Sequence, residues 1–100
     1  MPKGYVIFTE TINDQAKYDG YVMKALPTIM AKGGSAIVVH DGPEVIEGNW
    51  HGTRTVVLEF ESVEKARDWY NSPEYQAVIG ERHASADANA AIVGGFEMPG

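Results

Sequence analysis

Three histidines, His40, His51 and His83, are the side chains best suited to titrate near neutral pH, and with Glu47 or Glu59 they have the chemistry of metal ligands. Their spacing fits no zinc or iron pattern, and no two of them stand four residues apart, so no metal site is expected. His51 and His83 read as a loop residue and a helix-end residue. His40 closes a run of strand-forming residues just before Asp41-Gly42-Pro43. There it is either a hydrogen-bonded structural group or a general base at the mouth of a cavity.

Trp50 lies in a polar loop between Gly48 and Gly52, where an indole either lids a pocket or plugs a seam between subunits. Arg54 follows, on the same strand face as Val56 and Leu58. A guanidinium beside an apolar core is costly without a partner. It therefore pairs with a carboxylate such as Glu47, or it receives an acidic or carbonyl ligand. Tyr75 and Arg82, seven residues apart, share one side of a helical stretch. Taken singly they read as a core aromatic and a surface ion-pair partner. His40, Trp50, Arg54, Tyr75 and Arg82 together form the candidate ligand pocket, expected near the loop 48–52.

Other chemistry is missing. Gly33-Gly34 and Gly94-Gly95 are isolated pairs and not a phosphate cradle, and no nucleophile motif surrounds any serine. The chain has no cysteine, which excludes disulfides, thiolate zinc sites and a cysteine nucleophile. Eight basic residues against fourteen acidic ones give a net charge of −6, with the bases scattered. No binding to nucleic acid or to an anionic membrane is expected. The first residues lack the apolar core of a signal peptide and no stretch is long enough to span a bilayer, so the expected location is cytoplasmic.

The elements that must position these residues follow from periodicity. Residues 4–12 predict a strand with Val6, Phe8 and Ile12 on one face and Tyr5, Ile7, Thr9 and Thr11 on the other. Asn13 or Asp14 caps a helix whose stripe is Tyr18, Val22, Ala25, Leu26 and Ile29. Pro27 falls inside it and predicts a kink or break, with Gly33-Gly34 closing the helix. Strands follow at 35–41 and 53–60, with a short extension at 45–47. Ser62 starts a helix, Ser72-Pro73-Glu74 restarts it, and residues 90–96 form a last strand. The order is strand, helix, strand, strand, helix pair, strand: the split βαβ pattern of a ferredoxin-like α+β fold, with helices on one face of an antiparallel sheet. Residues 1–100 make one domain, with 97–100 as a flexible tail. Apolar residues on the uncovered face, among them Ile7 and Val57, predict a homodimer.

Three further stretches, Glu47-Gly48-Asn49-Trp50, Trp69-Tyr70-Asn71-Ser72-Pro73-Glu74-Tyr75-Gln76 and Arg82-His83-Ala84-Ser85-Ala86, stand in register with Gly4-Tyr5-Val6, Pro27-Thr28 and Gly33-Gly34. With them the chain resembles the uncharacterised family of the domain of unknown function 1330, in the dimeric α/β-barrel group of ferredoxin-like folds. The resemblance implies the fold and a dimer. The wider group it implies includes cofactor-free quinone-forming monooxygenases, haem-degrading enzymes, muconolactone isomerase-like proteins and stress-response proteins. None of their catalytic motifs matches positions here, and fold alone does not carry function. Two functions are expected from the residues. One is a cofactor-independent enzyme, or a binder, of a small carbonyl or phenolic ligand, for which no cofactor is needed. The other is a non-catalytic dimeric module that binds a metabolite or serves in stress.

Overall fold

Tyr, Val, Ile, Phe and Thr dominate residues 4–12, and their bulk or branching suits an extended chain. This stretch is β1 (Gly4–Ile12), an inner strand of the sheet. The computed structural model describes residues 2–99; Met1 and Gly100, the last residue of the expected tail, lie outside the described residues. After β1 come α1 (Gln15–Ala31), β2 (Ser35–Asp41), β3 (Arg54–Phe60), α2 (Val63–Tyr70), α3 (Pro73–Gln76), α4 (Ile79–Ser85) and β4 (Ala86–Gly94). All strand pairs are antiparallel in the order β2-β3-β1-β4, which with this element order is the ferredoxin-like α+β fold.

Register determines what each face carries. On the helix side Val6 sits between Leu58 and Ile92, Phe8 between Val56 and Ala90, and Glu10 between Arg54 and Ala88. Val6, Phe8, Leu58 and Phe60 are buried against Tyr18, Tyr21, Ala25 and Ile29 of α1 and Trp69 and Tyr75 beyond. On the opposite face Tyr5, Ile7 and Thr9 alternate with them, beside Glu59, Val57 and Thr55 of β3. β2 adds Val38 and His40 to that second face, after a register shift between Ala36 and Val38.

The helix starts are those that local chemistry predicts. Asp14 accepts from the Lys17 N–H at 3.1 Å, Ser62 from Lys65 at 3.1 Å and Ser72 from Tyr75 at 3.2 Å. Gly33 takes a positive φ of 76° at the end of α1, and the Gly34 N–H returns to the Ile29 carbonyl at 2.9 Å.

Three expectations are corrected. Of the kink or break expected at Pro27, the break does not occur, and α1 runs through to Ala31. Pro27 is exposed, as is Met23 one turn earlier, so the lost backbone bond falls on the solvated side where water can replace it. Residues 45–47 form no strand and belong to an exposed loop between β2 and β3. β4 begins at Ala86, four residues before the expected start at residue 90. Its alternation of Ala with Asp87 and Asn89 carries little strand propensity, and pairing with Ile12, Thr11 and Glu10 of β1 supplies what propensity does not.

Candidate functional site

A cavity of about 110 Å³ lies between α1 and the sheet. Its two ends differ. At one end Ile29, Leu58 and Ala36 make an apolar wall; at the other stand Glu10, Tyr18 and Arg54. The gradient comes from the chain's path, because α1 starts beside the C-terminal end of β1 and finishes over its beginning. Leu26 and Val39, both exposed, also line the cavity and mark its open side.

Glu10 is the unusual group. Its side chain is on the core face of an inner strand and the residue is 1% exposed. The Tyr18 hydroxyl donates to its carboxylate at 2.5 Å. Burial raises the Glu10 carboxyl above the ordinary glutamate range, opposed by the Tyr18 hydrogen bond and by the charges of Arg82 and Arg54. The same burial, together with Glu10, raises the Tyr18 phenol, so it stays a protonated donor. The backbone here is held from the other side. Gly52, at φ 76°, brings the loop so close that a Cβ would collide with the Glu10 carbonyl, and Thr53 N–H donates to that carbonyl oxygen at 2.8 Å.

Arg54 is opposite Glu10 across β1 and β3 and opposite Asp41 across β3 and β2. Its Nε and Nη2 donate to the two Asp41 carboxylate oxygens at 2.7 and 3.1 Å, and its guanidinium carbon is 5.4 Å from the centre of the Tyr18 ring. The sequence points to Glu47 as the carboxylate partner; the partner is Asp41, because strand register puts the two side chains on one face. The Arg54 hydrogen bond holds the Asp41 carboxyl below its usual range.

Behind Glu10, α4 supplies Arg82, which is 4% exposed and stacks over Phe8 with its guanidinium carbon 5.1 Å from the ring centre. Its Nε donates to the Tyr75 hydroxyl at 3.2 Å, and Tyr75 shares a 2.7 Å hydrogen bond with Tyr21, which lines the cavity. Burial raises the Tyr21 phenol, with Tyr75 beside it adding to the effect. Among the described residues no buried side-chain nitrogen or oxygen is left without a partner.

The five candidate residues therefore divide by sheet face. Arg54 lines the cavity, and Tyr75 and Arg82 back it through Tyr21 and Glu10. His40 is exposed and pairs in register with Thr55 on the far face. Trp50 is half exposed, and its indole N–H donates to the Thr55 hydroxyl at 3.1 Å. His51 is on that far side too: Nδ1 is 3.0 Å from the Thr9 carbonyl oxygen, and Nε2 is 3.6 Å from Asp87. His83 is exposed on α4. No group of three His, Asp or Glu side chains able to hold a metal occurs among the described residues. Glu10, Tyr18 and Tyr21 are not legible as site residues from spacing. The signal for Glu10 is its place in the Val6-Phe8 alternation, which puts a carboxylate where apolar groups are expected.

An antiparallel four-stranded sheet with helices on one face, and a cavity beneath the first helix, defines a ferredoxin-like α+β domain. Residues 3–96 match the family described as the domain of unknown function DUF1330, and the chain belongs to that family. No curated protein matches it. Among solved structures it is similar to a protein of unknown function from Rhodopseudomonas palustris, at 14% identity and a TM-score of 0.79, covering 97% of this chain and 85% of that one. It is also similar to SnoaB, a cofactor-independent oxygenase from Streptomyces nogalater, at 7% identity and a TM-score of 0.70, with 98% and 97% covered. A third is a dimeric ferredoxin-like protein of unknown function from Thermobifida fusca, at 14% identity and a TM-score of 0.53, with 93% and 91% covered. At these identities the likeness shows the fold alone. No described helix is long and apolar enough to cross a membrane.

Proposed function

We propose that this protein binds a small carbonyl or phenolic compound in the cavity under α1 and moves a proton to and from it through Glu10, as a homodimer and without a cofactor. The observation that carries the reading is the Glu10 carboxyl: buried, raised above its ordinary range, and set at the polar end of an otherwise apolar cavity. A carboxylate there takes a proton from a phenolic hydroxyl or from the carbon beside a carbonyl. As the new Glu10 O–H bond forms, the O–H or C–H bond breaks and its electron pair moves onto the ligand oxygen. Arg54 supplies positive charge for that oxygen, while the Tyr18 hydroxyl, donating to Glu10, holds the carboxylate in place. Return of the proton completes a tautomerisation, so atoms and electrons balance with no oxidant. SnoaB supports the part of the reading that dispenses with a cofactor, since it is a cofactor-independent oxygenase on a similar fold. The dimer is supported by the second sheet face, where Val38 and Val93 are 39% and 40% exposed beside half-buried Ile7 and Val57, and by the dimeric Thermobifida protein.

The test is a screen of small ketones and phenols by amide chemical-shift changes, followed for each bound ketone by deuterium exchange at the carbon beside the carbonyl. Binding that shifts residues around Val22 and Val56, with exchange lost in Glu10→Gln, is the expected result. Binding with no exchange above the buffer rate makes the protein a non-catalytic binder. Failure of every compound to shift those residues removes the cavity as a site.

A further inference from the structure

The cavity's charges say more about its ligand than its shape does. Four charged side chains surround the polar end: Glu10 and Asp41 are acidic, Arg54 and Arg82 basic. Glu10 and Arg82 are both almost wholly buried, at 1% and 4% exposed, and each lowers the cost of the other's burial. That leaves Arg54 and Asp41, and they are not alike. The Arg54 side chain is 20% exposed and lines the cavity, whereas that of Asp41 is 69% exposed and stands outside it at the end of β2. Asp41 thus holds two guanidinium donors from the solvent side, in an ion pair that water and salt weaken. Its departure would return Asp41 to water at little cost and leave one positive charge facing an apolar cavity.

With the cavity as the ligand site proposed above, we infer that the ligand is a small monocarboxylate. Its carboxylate takes the place of Asp41 on the Arg54 guanidinium while its apolar body fills the space toward Ile29 and Leu58. Planar, two-pronged donation is what Arg54 already offers Asp41, and a ligand carboxylate has the same geometry. Size limits the rest of the molecule. An apolar cavity of about 150 Å³ admits one benzene, so one of about 110 Å³ with an open side takes a single ring or a short branched chain. A carbonyl or hydroxyl next to the carboxylate then lies beside Glu10, the neighbour of Arg54 on the next strand. The class is 2-oxo or ortho-hydroxy monocarboxylates. A dicarboxylate would bring a second charge into the apolar end, and a cation would meet Arg54.

The experiment compares salicylate with its neutral isostere salicylamide by isothermal titration, on the wild type and on Asp41→Asn, Arg54→Lys and Arg54→Met. Salicylate is expected to bind more tightly than salicylamide. Asp41→Asn removes the internal competitor and should tighten salicylate about two- to fivefold while leaving salicylamide unchanged. Arg54→Met should weaken salicylate about tenfold or more. Arg54→Lys keeps the charge without the fork and should fall between, so the inference stays testable if Arg54→Met does not fold. Salicylamide binding as well as salicylate, or salicylate indifferent to Asp41→Asn, overturns the carboxylate inference and leaves the cavity reading intact. Neither compound binding overturns the carboxylate inference, and the cavity reading falls with it only if every ketone and phenol of the screen also leaves Val22 and Val56 unshifted.

Discussion

Glu10 and Arg54 face each other on one rung of the sheet, paired between β1 and β3, with both side chains on the face that α1 covers. An acid and a base so placed, inside a layer otherwise built of Val, Phe, Leu and Ile, are expensive to bury unless neighbours compensate them. Arg82, Tyr18 and Asp41 do so, each from a different element.

The pH dependence of stability should carry the mark of Glu10. Its pKa is raised in the folded state, chiefly by burial, so the folded chain binds the proton more tightly than the unfolded one. The stabilisation from that proton is complete below the unfolded value and is lost as pH rises through the folded value. Glu10→Gln keeps the neutral shape and removes the titration. The melting temperature of the wild type should therefore fall relative to Glu10→Gln as pH climbs from the ordinary glutamate range, and parallel melting profiles would refute the assignment.

Removing Arg82 should be among the most damaging single changes. Arg82→Met removes the larger of the two positive charges that offset the burial of Glu10, leaving only Arg54, and breaks the hydrogen bond to Tyr75, at an expected cost of about 3–5 kcal/mol. In Glu10→Gln the same change should cost at least about 1 kcal/mol less. Urea denaturation of the four proteins in the cycle measures this, and strict additivity would mean that the two residues do not interact.

Gly52 should not accept a side chain. Gly52→Ala drives a Cβ into the Glu10 carbonyl at a positive φ, for a loss of roughly 2 kcal/mol or more. Gly42 also has a positive φ but open space around it, so Gly42→Ala should cost only about 1 kcal/mol. Equal losses would show that backbone strain alone, and not contact with β1, sets the effect.

The far face of the sheet gives the prediction for assembly. Sedimentation at micromolar concentration should find a dimer, and Val57→Asp should yield a monomer that keeps its helical circular dichroism. A wild type sedimenting as a monomer would sink the proposal.

Local pattern was enough for much of this architecture. Period-two alternation in residues 4–12 and 53–60, the stripe from Tyr18 to Ile29, and the capping chemistry of Asp14, Ser62 and Ser72 each act over a few residues, so they are legible without partners. Where an element depends on its neighbours the reading weakens. β4 is held by pairing with β1 as far as Ile12, and α1 passes Pro27 because its inner face is packed on the sheet. The site lies wholly on that second side of the divide. Alternation can say that Arg54 shares a face with Val56, but only register between strands decides that Asp41 meets it and His40 does not. The irregularity between Ala36 and Val38 helps decide which β2 side chains reach each face. Glu10 and Arg82 are far apart in sequence and become neighbours only when α4 packs against α1 and β4 and lays Arg82 over Phe8. Short-range sterics determine the elements; which charges are brought together, and which are buried, depends on long-range packing that no local spacing records.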